Sequence, residues 1–254
     1  MEQETGERLL VLTGAAGRIG SFYRRHFGER PGWRLRLQDI EPVPEPGPWE
    51  VQTGDLAELA VARRVVQGAH TILHLAADPS PSADFYGSLL ERNIKATYNV
   101  FHAAAEAGAR RLIFASSVNA ILGYPRETQV HPHMLARPAN VYGATKVWGE
   151  ALAATFVSQQ KLPSAIAVRI GGVSTVEQVR QGRSPAVLAF VVTEADLCRL
   201  FDCCLAAGPT VDFAIIHGTS RNRFLKMELE GTRRLVGYEP QDDAFAIAEE
   251  SPGR

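Results

Sequence analysis

The stretch Leu9-Leu10-Val11-Leu12-Thr13-Gly14-Ala15-Ala16-Gly17-Arg18-Ile19-Gly20 decides the fold. Leu9–Thr13 reads as a short strand buried on both faces, and three evenly spaced glycines follow it. Gly14 permits a tight turn, Gly17 lets backbone amides approach a diphosphate, and Gly20 lets the next helix pack closely on the sheet. Arg18 and Ile19 open that helix, whose positive end suits a phosphate. Ile19, Phe22, Tyr23, His26 and Phe27 predict its inward stripe, and Gly28 ends it.

Outward from this turn, further apolar runs alternate with helical patterns. The candidate strands are Trp33–Gln38, Trp49–Gln52, Thr71–Leu75, Arg111–Ala115, Ala165–Arg169 and Asp212–Ile216, each read as buried on both faces. A second helix is predicted from about Asn93 to Ala107, with Ile94, Tyr98, Phe101 and Ala105 inward and Gly108 as its stop; a third covers Val141 to Gln160. Asp39–Pro48 carries Pro42, Pro44, Pro46 and Pro48, a spacing that forbids a helix and predicts a surface loop. The pattern is α/β: a doubly wound Rossmann parallel sheet over residues 8–170. A small C-terminal substrate-binding portion, 171–254, also supplies the last strand and helices.

Composition narrows the function classes. The 254 residues are 45% hydrophobic and 22% charged, ordinary globular values. A net charge of −1 gives no basic footprint for nucleic acid or an acidic membrane surface. The apolar run Val187–Val192 is far too short to span a bilayer, and the acidic start Met1–Arg8 is no signal peptide. Three cysteines without a C-x-x-C pair read as small apolar residues of a cytoplasmic protein. The ends, Met1–Arg8 and Gln241–Arg254, are expected to be loosely held.

Asp39 closes the second strand, where a carboxylate accepts both hydroxyls of an adenosine ribose and repels a 2′-phosphate. NAD is therefore the expected cofactor. Arg36 is the residue that would serve a 2′-phosphate, yet on a strand it shares the face of Gln38 rather than that of Asp39. Asp55, in Gly54-Asp55-Leu56, reads either as an acceptor for the adenine amino group or as a turn former. Leu75-Ala76-Ala77 ends the fourth strand with small residues that allow close approach to the cofactor ribose.

Tyr142-Gly143-Ala144-Thr145-Lys146 opens the third helix and sets the Lys146 ammonium one turn from the Tyr142 phenol. A phenol with its ordinary pKa near 10 is a poor base at neutral pH, and a neighbouring ammonium favours the phenolate. Ser117, ending the fifth strand, is placed to hydrogen-bond the same substrate oxygen.

The set Gly14-x-x-Gly17-x-x-Gly20, Asp39, Asp55, Ser117 and Tyr142-x-x-x-Lys146 resembles the extended short-chain dehydrogenase/reductases, also called the NAD-dependent epimerase/dehydratase family, over residues 8 to 240. The resemblance implies that Ser117, Tyr142 and Lys146 are catalytic and that Lys146 grips the nicotinamide ribose. It makes Asn93 the family's helix asparagine and counts Leu56 and Ile170 among the cofactor contacts. Phe114-Ala115-Ser116-Ser117, Arg137-Pro138, Gly149-Glu150 and Val168-Arg169-Ile170-Gly171 are most similar to uronate dehydrogenases and related hexose C1 dehydrogenases. That likeness implies oxidation of a small sugar (a uronate, an aldose or a hexose phosphate) at C1 to a lactone.

Substrate contacts are expected from Ser80, Ser117, Val118, Asn119, Tyr142, Gly172 and either Arg180 or Arg183. Val118-Asn119 and Gly172 depart from the Asn-His pair and the serine of the uronate enzymes. A nucleotide-sugar 4-epimerase with tightly bound NAD and a non-catalytic NAD sensor are the competing readings. The short C-terminal portion speaks against the first, and retention of Tyr142 and Lys146 against the second. No metal is expected: His131-Pro132-His133 reads as a loop and His74 as a satisfied core histidine, while His102 reads as exposed. Tyr98, Phe101, Trp148 and Phe156 supply apolar surface for a homodimer or for the core.

Overall fold

The computed structural model describes residues 6–250. Its elements run β1 (Arg8–Thr13), α1 (Arg18–Phe27), β2 (Trp33–Asp39), β3 (Glu50–Thr53), α2 (Leu59–Val66) and β4 (Thr71–His74). A π-helix, Phe85–Lys95, then leads into α3 (Ala96–Glu106), β5 (Arg111–Ser117), α4 (Val141–Ser158), β6 (Ala165–Ile170) and β7 (Gly172–Ser174). The chain continues through α5 (Val176–Arg180), α6 (Pro185–Leu188), β8 (Val191–Thr193), α7 (Glu194–Ala206), β9 (Phe213–Gly218), α8 (Glu230–Val236) and α9 (Ala244–Glu249). All seven expected strands are present to within two residues.

They form one sheet in the order β3-β2-β1-β4-β5-β6-β9, the doubly wound arrangement the alternating pattern predicts. β1 pairs in parallel with β2 on one side and β4 on the other, so the strand order reverses at this pair. A ligand crevice belongs outside the carboxyl ends of strands at such a reversal. Burial on both faces holds for β4, β5 and β6 but not for β3, which lies at the sheet edge and leaves Val51 exposed. A separate parallel pair, β7 and β8, joins Gly172 to Val191 and was not legible in strands this short.

The chain divides into two compact units. The first takes residues up to Pro79, Ala83–Phe114 and Leu152–Ala165. Its centre holds the fully buried Leu10, Leu12, Leu35, Leu37, Ile72 and Leu73. In α1 the buried face is Gly20, Tyr23, Arg24 and Phe27: of the expected stripe Tyr23 and Phe27 are buried, Ile19 and Phe22 are half-buried and His26 is exposed. The close approach of Gly20 sets this rotation, because its helical neighbours at i+3, i+4 and i+7 must then face the same way. Buried Arg24 donates to the carbonyls of Pro44 and Glu45, at 2.5 Å each, and so fastens the proline-rich loop to α1.

The second helical region begins at Phe85 rather than Asn93, since its first part winds as a π-helix. Of the residues expected inward only Phe101 is buried. Ile94 and Ala105 are half-buried and Tyr98 is exposed, and Ala96, Thr97, Val100, Ala103 and Ala104 form the buried face. Phe156 is core, 5.6 Å ring to ring from Phe101. His102, half-exposed, pairs with Glu106 at 3.0 Å and stacks on Tyr98. His74 is buried as expected, within reach of Thr13 at 2.8 Å and Thr97 at 3.4 Å.

The second unit takes Ser80–Ser82, Ala115–Ala151 and the chain from Ile166 onward. One apolar cluster gathers Val118, Ala120, Ile121, Val130 and Met227, and another Val179, Leu188, Val191, Ala244 and Ile247. Cys198 and Cys204 are buried on α7 and all three cysteines are free thiols. Contrary to expectation, the segment from Gln241 to Glu250 is tied down. The buried Asp196 carboxylate accepts the amides of Gln241 and Asp242, and Ala244 and Ile247 are core. At the other end Arg8, also expected to be loose, begins β1, and residues 1–5 and 251–254 lie outside the described residues. Among the described residues no helix is long and apolar enough to cross a membrane.

Candidate active site

In the first unit the glycine turn is shaped by sterics. Gly14 has φ +70°, and a Cβ there would stand 2.8 Å from the amide nitrogen of Ala76. The ends of β1 and β4 therefore meet through glycine and small residues. At Gly20 a Cβ would lie 2.1 Å from the Gly14 carbonyl oxygen, so only glycine lets α1 start this close to the turn. Thr13 Oγ1 accepts the amides of Leu75 and Ala76, both at 3.2 Å, and contacts the His74 ring. With both lone pairs used, Thr13 donates its proton to His74 Nδ1, which leaves the ring proton on Nε2, facing Thr97.

Asp39 braces the same turn: one carboxylate oxygen accepts the Ala16 amide at 2.8 Å, the other the Glu41 amide at 3.1 Å. Each oxygen keeps further lone-pair capacity for a ribose hydroxyl. Arg36 is engaged elsewhere, donating from Nε to Glu50 at 2.8 Å and from Nη1 to the carbonyls of Val65 and Gln67. It is thus committed away from any 2′-phosphate. Asp55 Oδ1 accepts the Ala57 amide at 2.8 Å, the turn-forming geometry, and Leu56 is buried beside it. Asn93, buried, accepts the Asp78 amide at 2.8 Å and donates to the Asp78 carbonyl at 3.1 Å, latching the chain that follows β4. A glycine cradle that side chains would fill, an acceptor-only carboxylate at the strand end and a helix N-terminus above it fit an adenine dinucleotide. Arg18 and Ile19 stand in the first turn of α1.

In the second unit Ser117, Tyr142 and Lys146 are all buried. The Lys146 Nζ sits 5.6 Å from the centre of the Tyr142 ring, as their helical spacing predicts. Burial pulls the Lys146 ammonium down from 10.5 to about 8. Gly143 explains the Tyr-Gly order: a Cβ there would stand 2.3 Å from the Asn119 carbonyl oxygen, so α4 rests directly on the turn after β5. Further along α4, the buried Glu150 takes a bidentate pair from Arg169 of β6, both contacts 2.8 Å, and a hydrogen bond from Ser116 at 2.6 Å. His217 donates from Nδ1 to the Glu228 carbonyl at 3.0 Å. Its ring is pushed down to about 3, first by burial and then by the charge of Arg169.

The remaining expected contacts are placed as follows. Ser80 and Ser82 hydroxyls are 3.1 Å apart. Val118 packs in an apolar cluster, and Asn119 turns its amide to Ser117 Oγ at 3.2 Å. Gly172 lies where a Cβ would touch the Phe190 ring at 3.2 Å, and Ile170 is buried at the end of β6. Arg180 pairs with Glu250 at 3.1 Å, whereas Arg183 is exposed in the turn before α6. Sequence reasoning missed Asn140, whose Oδ1 caps the Gly143 amide at 2.7 Å; an asparagine two residues before a helical tyrosine is the N-cap signal that was available. It also missed the latch role of Thr13. His131 and His133 lie in a loop with rings 5.5 Å apart, His131 facing Glu228 at 3.7 Å.

Residues 10–186 match the model of the NAD dependent epimerase/dehydratase family. The chain belongs to that family. Among curated relatives, the NAD-dependent glucose-6-phosphate dehydrogenase of Haloferax volcanii is 31% identical over 252 residues, covering 92% of this chain and 94% of its own. The uronate dehydrogenase of Pseudomonas putida is 32% identical over 239 residues, covering 92% and 84%. Among solved structures, a mutant uronate dehydrogenase from Agrobacterium tumefaciens complexed with NAD superposes with a TM-score of 0.85 at 28% identity, over 97% of this chain and 91% of that one.

Proposed function

We propose that this family member is an NAD-dependent sugar dehydrogenase that oxidises the C1 hydroxyl of a small free sugar, a uronate, an aldose or a hexose phosphate, to a lactone. The observation that carries the reading is the buried pair on α4, with Lys146 Nζ 5.6 Å from the Tyr142 ring and Ser117 buried at the end of β5. Relatives that share nearly the whole chain length and are named as sugar dehydrogenases support it.

Gly14, Gly17, Arg18, Ile19, Gly20, Asp39, Asp55, Leu56, Leu75, Ala76, Ala77, Asn93 and Ile170 serve the dinucleotide, with Asp39 on the adenosine ribose. Bound NAD supplies the acceptor for the C1 hydrogen, which leaves with its electron pair. Tyr142, as phenolate, takes the hydroxyl proton, and the Lys146 charge stabilises that phenolate and grips the nicotinamide ribose. The Ser117 hydroxyl steadies the charge developing on the C1 oxygen. Because binding that oxygen counts only as charge grows on it, this contact speeds the step rather than tightening the ground state. Arg183, which makes no ion pair among the described residues of the kind that engages Arg180, is the better grip for a carboxylate or phosphate at the far end of the sugar. Ser80 and Gly172 line the sugar, and Asn119, whose amide is turned to Ser117, acts behind that hydroxyl.

The enzyme is further proposed to be cytoplasmic and homodimeric, with Tyr98 of α3 and Trp148 of α4, both exposed, in the interface. Sedimentation at micromolar concentration checks the dimer. The activity is tested by following NADH formation at 340 nm with free uronates, aldoses and hexose phosphates, and with UDP-sugars as a control. Turnover of a free sugar with added NAD is expected. A protein that purifies with NAD retained and interconverts UDP-sugars without added cofactor would overturn the reading in favour of an epimerase.

A further inference from the structure

The turn after β5 and the start of α4 are joined by a row of hydrogen bonds with a fixed direction. The Gly143 amide donates to Asn140 Oδ1 at 2.7 Å. A backbone N–H can only donate, so Asn140 must show that amide its oxygen and keep its NH2 for the other side. That NH2 donates to Asn119 Oδ1 at 2.8 Å. Asn119 is thereby oriented in turn, and its own NH2 donates to Ser117 Oγ at 3.2 Å. Turning either amide over would oppose two donors or two acceptors, so the Gly143 amide sets the sense of the whole row.

Ser117 Oγ accepts a second time, from the Asn119 backbone amide at 3.1 Å. A hydroxyl has two lone pairs and one proton. Both lone pairs are taken by N–H groups of one residue, so the single bond left to Ser117 is the one its proton makes.

We propose that Asn119 and Asn140 are positioning residues that hold the Ser117 hydroxyl as a donor only, aimed at the substrate oxygen. The inference rests on the reading of Ser117 as the group that steadies that oxygen. It has two chemical consequences. Ser117 cannot accept the sugar hydroxyl proton, which leaves Tyr142 as the acceptor. The donor is also set before the charge develops, so no hydroxyl has to turn during the reaction. Each bond polarises the next, and the row starts in the first turn of α4, where the helix dipole favours donation. Gly143 fits the same role, since any side chain there would push the Asn119 carbonyl away.

The test is Asn119→Asp, which keeps the shape but can no longer donate. Its carboxylate accepts from Asn140 as before and takes the Ser117 proton, turning that hydroxyl away from the sugar. The kcat is expected to fall about 10²–10³-fold, as for a lost oxyanion donor, with KM for the sugar and NAD affinity changed less than about threefold. In a Ser117→Ala background the same substitution should cost less than about threefold, because the group it acts through is gone. Asn119→Ala, which leaves the backbone amide on Ser117, should fall between the two.

Equal losses from Asn119→Asp with and without Ser117 would overturn the relay, as would an unchanged kcat. If Ser117→Ala itself leaves kcat intact, the role of Ser117 fails first, and the two failures are thus told apart. A neutron structure of the wild-type protein gives a readout independent of activity. Deuterium on Asn119 Nδ2 facing Ser117, with the Ser117 deuteron pointing away from Asn119, is expected; the Asn119 oxygen facing Ser117 would refute the proposal.

Discussion

Gly143 lies so close to Asn119 that a Cβ on the glycine would stand 2.3 Å from the asparagine's carbonyl oxygen. The contact is backbone against backbone, so neither side can yield by turning a side chain. It seats the first turn of α4, and with it Tyr142, against the turn that carries Ser117. Gly143→Ala should therefore move the helix start by about 1 Å, since ordinary Cβ contacts lie beyond 3.4 Å. Overpacking of this kind costs about 1–3 kcal/mol, and misplacement of catalytic groups about 1 Å or less can cost up to 10²-fold in rate. Urea unfolding and steady-state kinetics together check this; a variant with wild-type kcat would show that the seat does not matter.

Lys146 is a buried ammonium whose pKa burial lowers from 10.5 to about 8. Since the folded value is the lower one, the folded state carries a cost on the order of 3 kcal/mol below pH 8. The cost fades as pH rises from about 8 toward 10.5, where the folded chain has shed its proton and the unfolded chain has not. Lys146→Met should accordingly raise the melting temperature at pH 7 by roughly 5 °C or more while cutting turnover about 10²–10⁴-fold. An unchanged or lower melting temperature would count against a charged, desolvated lysine at this position.

His217 has the same sign of pH dependence in a more acidic window. Burial and the neighbouring Arg169 hold it at about 3, below its ordinary 6.5, so the folded state keeps it neutral. The unfolded chain takes up a proton first as pH falls. Stability from this group is complete above about 6.5 and is lost down to about 3, at a slope near 1.4 kcal/mol per pH unit. His217→Gln keeps an N–H for the Glu228 carbonyl and does not titrate. Its unfolding free energy between pH 6 and 4 should fall less steeply than that of the wild type; identical slopes would contradict the assignment.

Asp39 holds the Ala16 amide and, in the proposed complex, the adenosine ribose. Hydrogen bonds to a charged group are worth about 1.5–3 kcal/mol, so Asp39→Ser should raise KM for NAD by roughly 10–100-fold. Removing the negative charge should also raise the NADP/NAD activity ratio, though Arg36 stays bound to Glu50 and to two carbonyls. Kinetics with both cofactors decide; an unaltered ratio would show that Asp39 does not select between them.

What the chain disclosed in advance is what local sequence controls. The spacing of Gly14, Gly17 and Gly20, the strand-end Asp39 and the turn from Tyr142 to Lys146 each encode one short piece of backbone, and each stands where its spacing puts it. Burial faces were harder. Apolar and aromatic character points to a stripe through Ile19 and Phe22, whereas Gly20 turns α1 by its contact with Gly14, bringing even the charged Arg24 inside. The start of the π-helix at Phe85 hid behind a periodicity that is not 3.6 residues. The Asn140–Asn119–Ser117 row joins two loops distant in sequence, and polar residues in loops carry no periodic signal. The tether from Gln241 and Asp242 to Asp196 is long-range for the same reason.

The role of Tyr142 as the base is tested most directly by Tyr142→Phe, assayed at 340 nm on the best free sugar of the wild type, with NAD binding measured in parallel. A loss of several orders of magnitude in turnover, at an NAD affinity within about threefold of wild type, is the expected result. Turnover retained by the phenylalanine variant would contradict the account.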